Sequence, residues 1–183
     1  MKSILLEPSM ELFEAIKNRR SIRSFHEEDI PSEDLRRILE AATEAPSAGN
    51  MQSWEFVIVR NGDRKKVLVE GAYGQDFIAQ APVVIVVCAN TARSASRYRE
   101  RGRSLYSIQD TAAAAQNILL TSYALGYGSC WIGAFDESKI AQAINAPSEV
   151  RPVAIIPIGR PAESPEPRSR LSLERVVHQE RFS

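Results

Sequence analysis

The chain has 183 residues with 23 Lys+Arg against 23 Asp+Glu, a formal net charge of zero. That balance excludes a whole-surface electrostatic partner such as duplex DNA or an anionic membrane, which needs a net or one-sided positive field. Hydrophobic residues at 44% and charged ones at 25% describe one globular domain, which at this length buries roughly 70% of the surface its unfolded chain exposes.

Cys88 and Cys130 form no CxxC pair, and the histidines, His26 and His178, sit near opposite ends. Neither a zinc site nor a disulfide scaffold is expected from that spacing. The opening MKSILLEPSMELFE has too short an apolar stretch for a signal peptide. No run approaches the ~18 apolar residues of a membrane helix, so the expected location is the cytoplasm.

In chain order, Ser9 can cap a first helix with Leu12, Phe13 and Ile16 on one face, ending in Asn18-Arg19-Arg20-Ser21. Pro31-Ser32 opens a second helix with Leu35, Ile38, Leu39 and Ala42 at helical spacing, ended by Pro46. Phe56 to Val59 reads as a strand, 61–71 as a polar helix and 76–81 as a turn. Val83 to Ala89 is apolar without alternation, the pattern of a strand buried on both faces. The stretch 93–103, RSASRYRERGR, reads as a solvated loop or an arginine-rich lid. Ile108 to Leu125 is a long helix, apolar nearly all round, ended by Gly126. Ser129 to Ile132 suggests a brief strand, Asp136 a cap for a helix through Ile144, and Val153 to Ile158 another buried strand. After Gly159 a Pro- and Arg-containing tail follows. Strands alternating with helices predict a central sheet covered by helices, with the strand order left open.

Three segments can carry chemistry. In Arg19-Arg20-Ser21-Ile22-Arg23, an extended chain puts Arg19, Ser21 and Arg23 on one side, where two guanidinium forks and a hydroxyl suit a phosphate; a solvated basic helix end is the alternative. Pro46-Ser47-Ala48-Gly49-Asn50-Met51-Gln52 is a small-residue loop able to approach a flat ligand closely, or else a plain connection. Gly126 to Phe135 holds three glycines but follows a helix, so it is no dinucleotide fingerprint.

Taken together, RRSIRSF, APSAGNMQSW and GYGSCWIGAF, with Asp110-Thr-Ala-Ala-Ala-Ala-Gln116-Asn117 and the closing Gly159-Arg-Pro and Arg168-Ser-Arg170, resemble the FMN-dependent nitroreductase family. The resemblance runs from about Met10 to Phe182. It implies an α+β fold, an αβα sandwich with a mostly antiparallel central sheet, as a single domain over 1–183 that forms an interlocked homodimer. Residues 1–9 would be an N-terminal extension, and 160–183 a segment reaching across the dimer. It also implies that Arg19, Arg20, Ser21 and Arg23, with Arg168 and Arg170, hold the FMN phosphate. Pro46, Ser47, Ala48, Asn50 and Gln52 would lie against the flavin ring from the partner subunit, and Ile132 and Gly133 would set a backbone N–H at flavin N5.

No Ser-His-Asp set, carboxylate pair or Cys-His dyad is apparent, as expected when the cofactor performs the chemistry. The expected activity is therefore ping-pong transfer of hydride from NADH or NADPH to an oxidised acceptor such as a nitroaromatic or quinone, without a catalytic side chain or metal. Two alternatives stay open: a specialised flavoprotein of the same superfamily, reductively dehalogenating or flavin-fragmenting, and an RNA- or anion-binding module built on the arginine-rich stretch.

Overall fold

The computed structural model of the protein describes residues 10–182. Its elements are α1 (Leu12–Asn18), α2 (Ser32–Thr43), β1 (Trp54–Val59), α3 (Gly62–Gly71), α4 (Phe77–Gln80), β2 (Val83–Asn90), α5 (Thr91–Arg101), α6 (Ser107–Ala124), β3 (Gly128–Ser129), α7 (Glu137–Ala143) and β4 (Val150–Gly159). The sheet order is β1-β2-β4-β3, with every strand pair antiparallel. One parallel bridge, Ser21 to Ser129, extends its edge.

The run Val83 to Ala89 has no polar face because β2 is covered twice. Val83, Ile85 and Val87 pack with Ile38 and Ala42 of α2 and Ala114 and Ile118 of α6. Val84, Val86 and Cys88 face the other way, onto Leu68 of α3, Ala72 just after it and Ile140 of α7. Successive side chains of one strand thus supply both cores, and the α+β sandwich follows. No helix among the described residues is long and apolar enough to cross a membrane.

Three expectations change, and a fourth cannot be followed. The Ser9 cap lies outside the described residues; α1 starts at Leu12 behind Glu11, which makes no side-chain cap bond. The apolar face of α1 does not join the core: Leu12, Phe13 and Ile16 are exposed, and only Ala15 of that helix is buried. The brief strand shrinks to Gly128–Ser129, with Ile132 rejoining the sheet as a single bridge to Ile155. The stretch 93–103 is helical, not a loop. Asn90 caps α5 by accepting the Arg93 N–H at 3.0 Å, and a five-residue π segment, Gly102–Tyr106, leads into α6.

Helix α6 spans 18 residues with its buried positions on one face, including Asp110, Ala114, Ile118 and Ser122. Its other face, with Gln109, Gln116 and Ala124, is open within the single chain. The apolar character that predicts burial on several sides is therefore met on one side only.

Candidate functional site

Where α1 ends, Arg19 takes extended angles (φ −54°, ψ 131°), and the chain runs along the sheet edge. The Ile22 N–H donates to the Ser129 carbonyl at 3.0 Å, and Ile22 and Phe25 turn into the core. Period two then throws Arg19, Ser21 and Arg23 to the opposite side. All three meet around Cys130. Burial raises the pKa of that thiol, while Arg23, a Ser21 hydrogen bond and Arg19 pull the other way.

The Arg19 guanidinium has a lowered pKa, through burial first and then through the neighbouring cations Arg170 and Arg20. Two ends of the sequence therefore meet. No carboxylate lies within ion-pair distance of Arg19, Arg20, Arg23 or Arg170 among the described residues, whereas Arg151 and Arg93 each have one. Glu163 comes near but accepts the backbone N–H of Arg23. The Ser129 hydroxyl beside this group is buried with no hydrogen-bond partner. A group of like charges is stabilised by an arriving anion, and phosphate matches guanidinium forks.

The predicted members differ in role. Arg20 folds back onto the carbonyls of Lys17 (2.7 Å) and Arg19 (2.9 Å), closing the C-terminus of α1 while adding to the field on Arg19. Arg170 donates to the Arg168 carbonyl at 3.3 Å; the Arg168 side chain is exposed. Downstream, the Ile132 N–H and carbonyl both pair with Ile155 at 3.0 Å. The next N–H, that of Gly133, has no hydrogen-bond acceptor among the described residues.

The loop 46–52 is built differently. Gly49, Asn50 and Gln52 all have positive φ (55°, 56° and 49°), a strain of about 1 kcal/mol or more per non-glycine residue. It persists because several groups hold it. Ser47 Oγ accepts the Gln52 N–H at 3.0 Å. Arg93 of α5 donates to the Gln52 carbonyl at 2.7 Å, and Arg97 to the Gly49 carbonyl at 3.3 Å. Beneath, the buried Asp110 carboxylate accepts the Ala48 N–H at 3.0 Å and the Ser53 hydroxyl at 2.7 Å. The outer side chains, Pro46, Asn50 and Gln52, remain exposed.

Sequence reasoning passed over Asp110 and Arg93 as members of this site. A lone carboxylate opening an otherwise apolar helix was the available signal for Asp110, since such a group is buried only with partners. Arg93 had none, because its partners lie 38 or more residues away.

Within one chain the two halves stand apart. Asp110 fixes the loop near the start of α6, and the group of Arg19, Ser21, Arg23 and Arg170, the arginine clamp, lies beyond its end. At about 1.5 Å per residue, Asp110 and Ala124 are separated by about 21 Å along the axis.

The sequence model of the Nitroreductase family matches residues 16–70 and 63–160. The chain belongs to that family. An NADH dehydrogenase of Thermus thermophilus is 34% identical over 197 residues, covering 93% of this chain and 96% of the relative. An FMN reductase [NAD(P)H] of Bacillus subtilis is 33% identical, covering 94% of this chain and 74% of the relative. Among solved structures, the NADPH:FMN oxidoreductase from Vibrio harveyi complexed with NAD+ superposes with a TM-score of 0.87 at 25% identity, covering 94% of this chain and 78% of that one. Family membership thus accords with the motifs RRSIRSF, APSAGNMQSW and GYGSCWIGAF, all within the matched range.

Proposed function

We propose that this chain is an FMN-dependent oxidoreductase that uses NADH or NADPH to reduce an oxidised acceptor, such as a nitroaromatic or quinone, in a ping-pong cycle. The observation that carries the reading is the convergence of Arg19 and Arg23 at Cys130, with Arg170 beside Arg19 and no carboxylate partner among the described residues, next to the strand that holds the orphan hydroxyl of Ser129. Those groups fit a phosphate monoester. Bound FMN would supply the redox chemistry, accepting hydride from the nicotinamide donor and passing the electrons to whichever acceptor follows.

The chain's own residues bind and orient. The clamp arginines and Ser21 fix the phosphate end. The unpaired Gly133 N–H offers a donor where negative charge develops on the ring, a fixed dipole that needs no reorganisation. The loop around Asn50 presents a shaped wall, kept in its left-handed conformation by Asp110 and Arg93. With no side-chain acid, base or nucleophile assigned, acceptor choice follows from what fits the open face.

One chain cannot bring the loop and the clamp to the same ring across about 21 Å. Two copies with their α6 helices antiparallel would set each loop against the other copy's clamp. The apolar groups left uncovered support that homodimer: Leu12, Phe13 and Ile16 on α1, and Leu171, Leu173 and Val176 in the tail. The tail beyond Ala162, whose N–H donates to the Ser24 carbonyl at 2.9 Å, would then reach over the partner.

Purification with added FMN tests the reading. A yellow protein whose visible flavin band bleaches on adding NADH or NADPH and returns with acceptor is expected. Colourless protein that gains no flavin absorbance overturns it. A monomer in sedimentation, with FMN still bound, overturns the two-copy site alone.

A further inference from the structure

Among the described residues, seven arginines, Arg93 and Arg103 included, have a carboxylate within 4.0 Å. Besides the clamp, a further group without one among the described residues is Arg97, Arg99 and Arg101, on α5. These three are crowded into five residues and exposed. Like charges at such spacing repel unless something neutralises them.

The geometry around them is specific. The Arg97 guanidinium lies 5.5 Å from the centre of the Tyr98 ring, and that of Arg101 lies 5.3 Å from the centre of the Tyr106 ring. Those two rings contact each other edge to face at 5.1 Å. The Arg101 Nε also donates to the Tyr106 hydroxyl at 2.9 Å. Two guanidinium forks are thus mounted on one aromatic pair. The backbone is bent to allow it: Arg99 sits at φ 50°, ψ −134°, inside what is otherwise helix. Immediately after, Gly102 packs so tightly that a Cβ there would lie 2.4 Å from the Ser94 carbonyl oxygen. A strained turn holding unneutralised charge in a fixed place is the pattern of a binding element.

This element also touches the loop assigned to the flavin ring. Arg97 donates to the Gly49 carbonyl, and a Cβ at Gly49 would lie 2.3 Å from the Tyr98 hydroxyl. Whatever binds at Arg97 and Arg101 therefore lies beside a ligand held against that loop.

We propose that Arg97 and Arg101 bind the 2′-phosphate of NADPH, making this chain selective for NADPH over NADH. The inference rests on the function proposed above. A phosphate monoester carries nearly two negative charges at neutral pH and offers three acceptor oxygens, a match for two guanidinium forks. NADH lacks that group, and the two donors are otherwise the same.

The test is kcat/KM for NADPH and NADH in the wild type, Arg97→Gln, Arg101→Gln and, as a control outside the group, Arg103→Gln. Inhibition by adenosine 2′,5′-bisphosphate is compared with that by 5′-AMP, and FMN content is measured in every variant. A wild type that favours NADPH is expected. In each of Arg97→Gln and Arg101→Gln the NADPH:NADH ratio falls about tenfold, chiefly through KM, and the bisphosphate weakens to match while 5′-AMP does not. FMN-bound wild type that uses both donors equally overturns the proposal and leaves the flavin function intact. Variants that lose FMN, or lose both donors equally, also overturn it, by showing that the arginines act through the loop. Wild type that binds no FMN overturns the proposed function itself.

Discussion

The arginine clamp and the loop 46–52, both of which the proposed function sets against FMN, are prepared in two different ways. In the clamp, the backbone is satisfied by sheet-edge bonds, and the side chains are left wanting: cations without anions and a buried hydroxyl without a partner. In the loop the imbalance is in the backbone, where three left-handed residues are held by a carboxylate below and two arginines above. The first stores electrostatic demand that a ligand meets; the second stores conformational strain that the protein itself contains. Removing a clamp residue should therefore act on binding, and removing a loop support should act on folding as well.

The largest effect is expected for Asp110→Ala, which leaves the buried Ser53 hydroxyl and the Ala48 N–H without their acceptor. Two orphaned groups destabilise by about 3 kcal/mol, a fall in Tm of about 9 °C for a chain of this size. Thermal denaturation checks it, and an unchanged Tm would show that the loop holds itself. Next, Arg23→Ala should weaken FMN retention about tenfold or more with little change in Tm. Arg97→Ala should leave it close to that of the wild type. Equal retention of FMN by the two variants in equilibrium dialysis would dissolve the distinction between the clamp and the arginines of α5.

Tyr127, just before β3 on the clamp side, donates to Asp34 at 2.6 Å with Arg160 stacked 4.5 Å above its ring. Burial, helped by Asp34, pushes its pKa up to about 12. The unfolded chain gives up that proton near pH 10, the folded one near 12. The stabilisation is complete below pH 10 and drains away as the pH rises from 10 to 12. Tyr127→Phe should lower stability by about 1 kcal/mol at neutral pH and flatten that alkaline fall, as read by denaturant titrations across the window. The smallest expected effect is chemical. Cys88, pushed up to about 12 by burial, and Cys130, raised by burial beneath the clamp, should resist thiol reagents at pH 8 in the native protein and react once it is unfolded. Rapid labelling of Cys130 in the folded protein would mean that the clamp opens.

Much of this was legible beforehand. The run 83–89 announced a doubly covered strand, Ile38 and Ala42 the inner face of α2, and alternation alone set Arg19, Ser21 and Arg23 on one side. The helix α5 was missed because arginines fill its exposed positions, leaving Ser94, Ala95 and Tyr98 as a thin inner face, and because it breaks at Arg99. Leu12, Phe13 and Ile16 were legible as a helical stripe, yet that stripe faces away from the chain's own core.

Local chemistry thus fixed the zero net charge, the buried strands and the residues fit to meet a phosphate, since each depends on composition or on neighbours within a few positions. Tertiary structure decided that Arg170 joins Arg19, that Asp110 reaches under Ala48, and that clamp and loop lie at opposite ends of α6. The first two contacts join residues 151 and 62 positions apart, and the order in which strands pair, which no local pattern encodes, determines which residues meet.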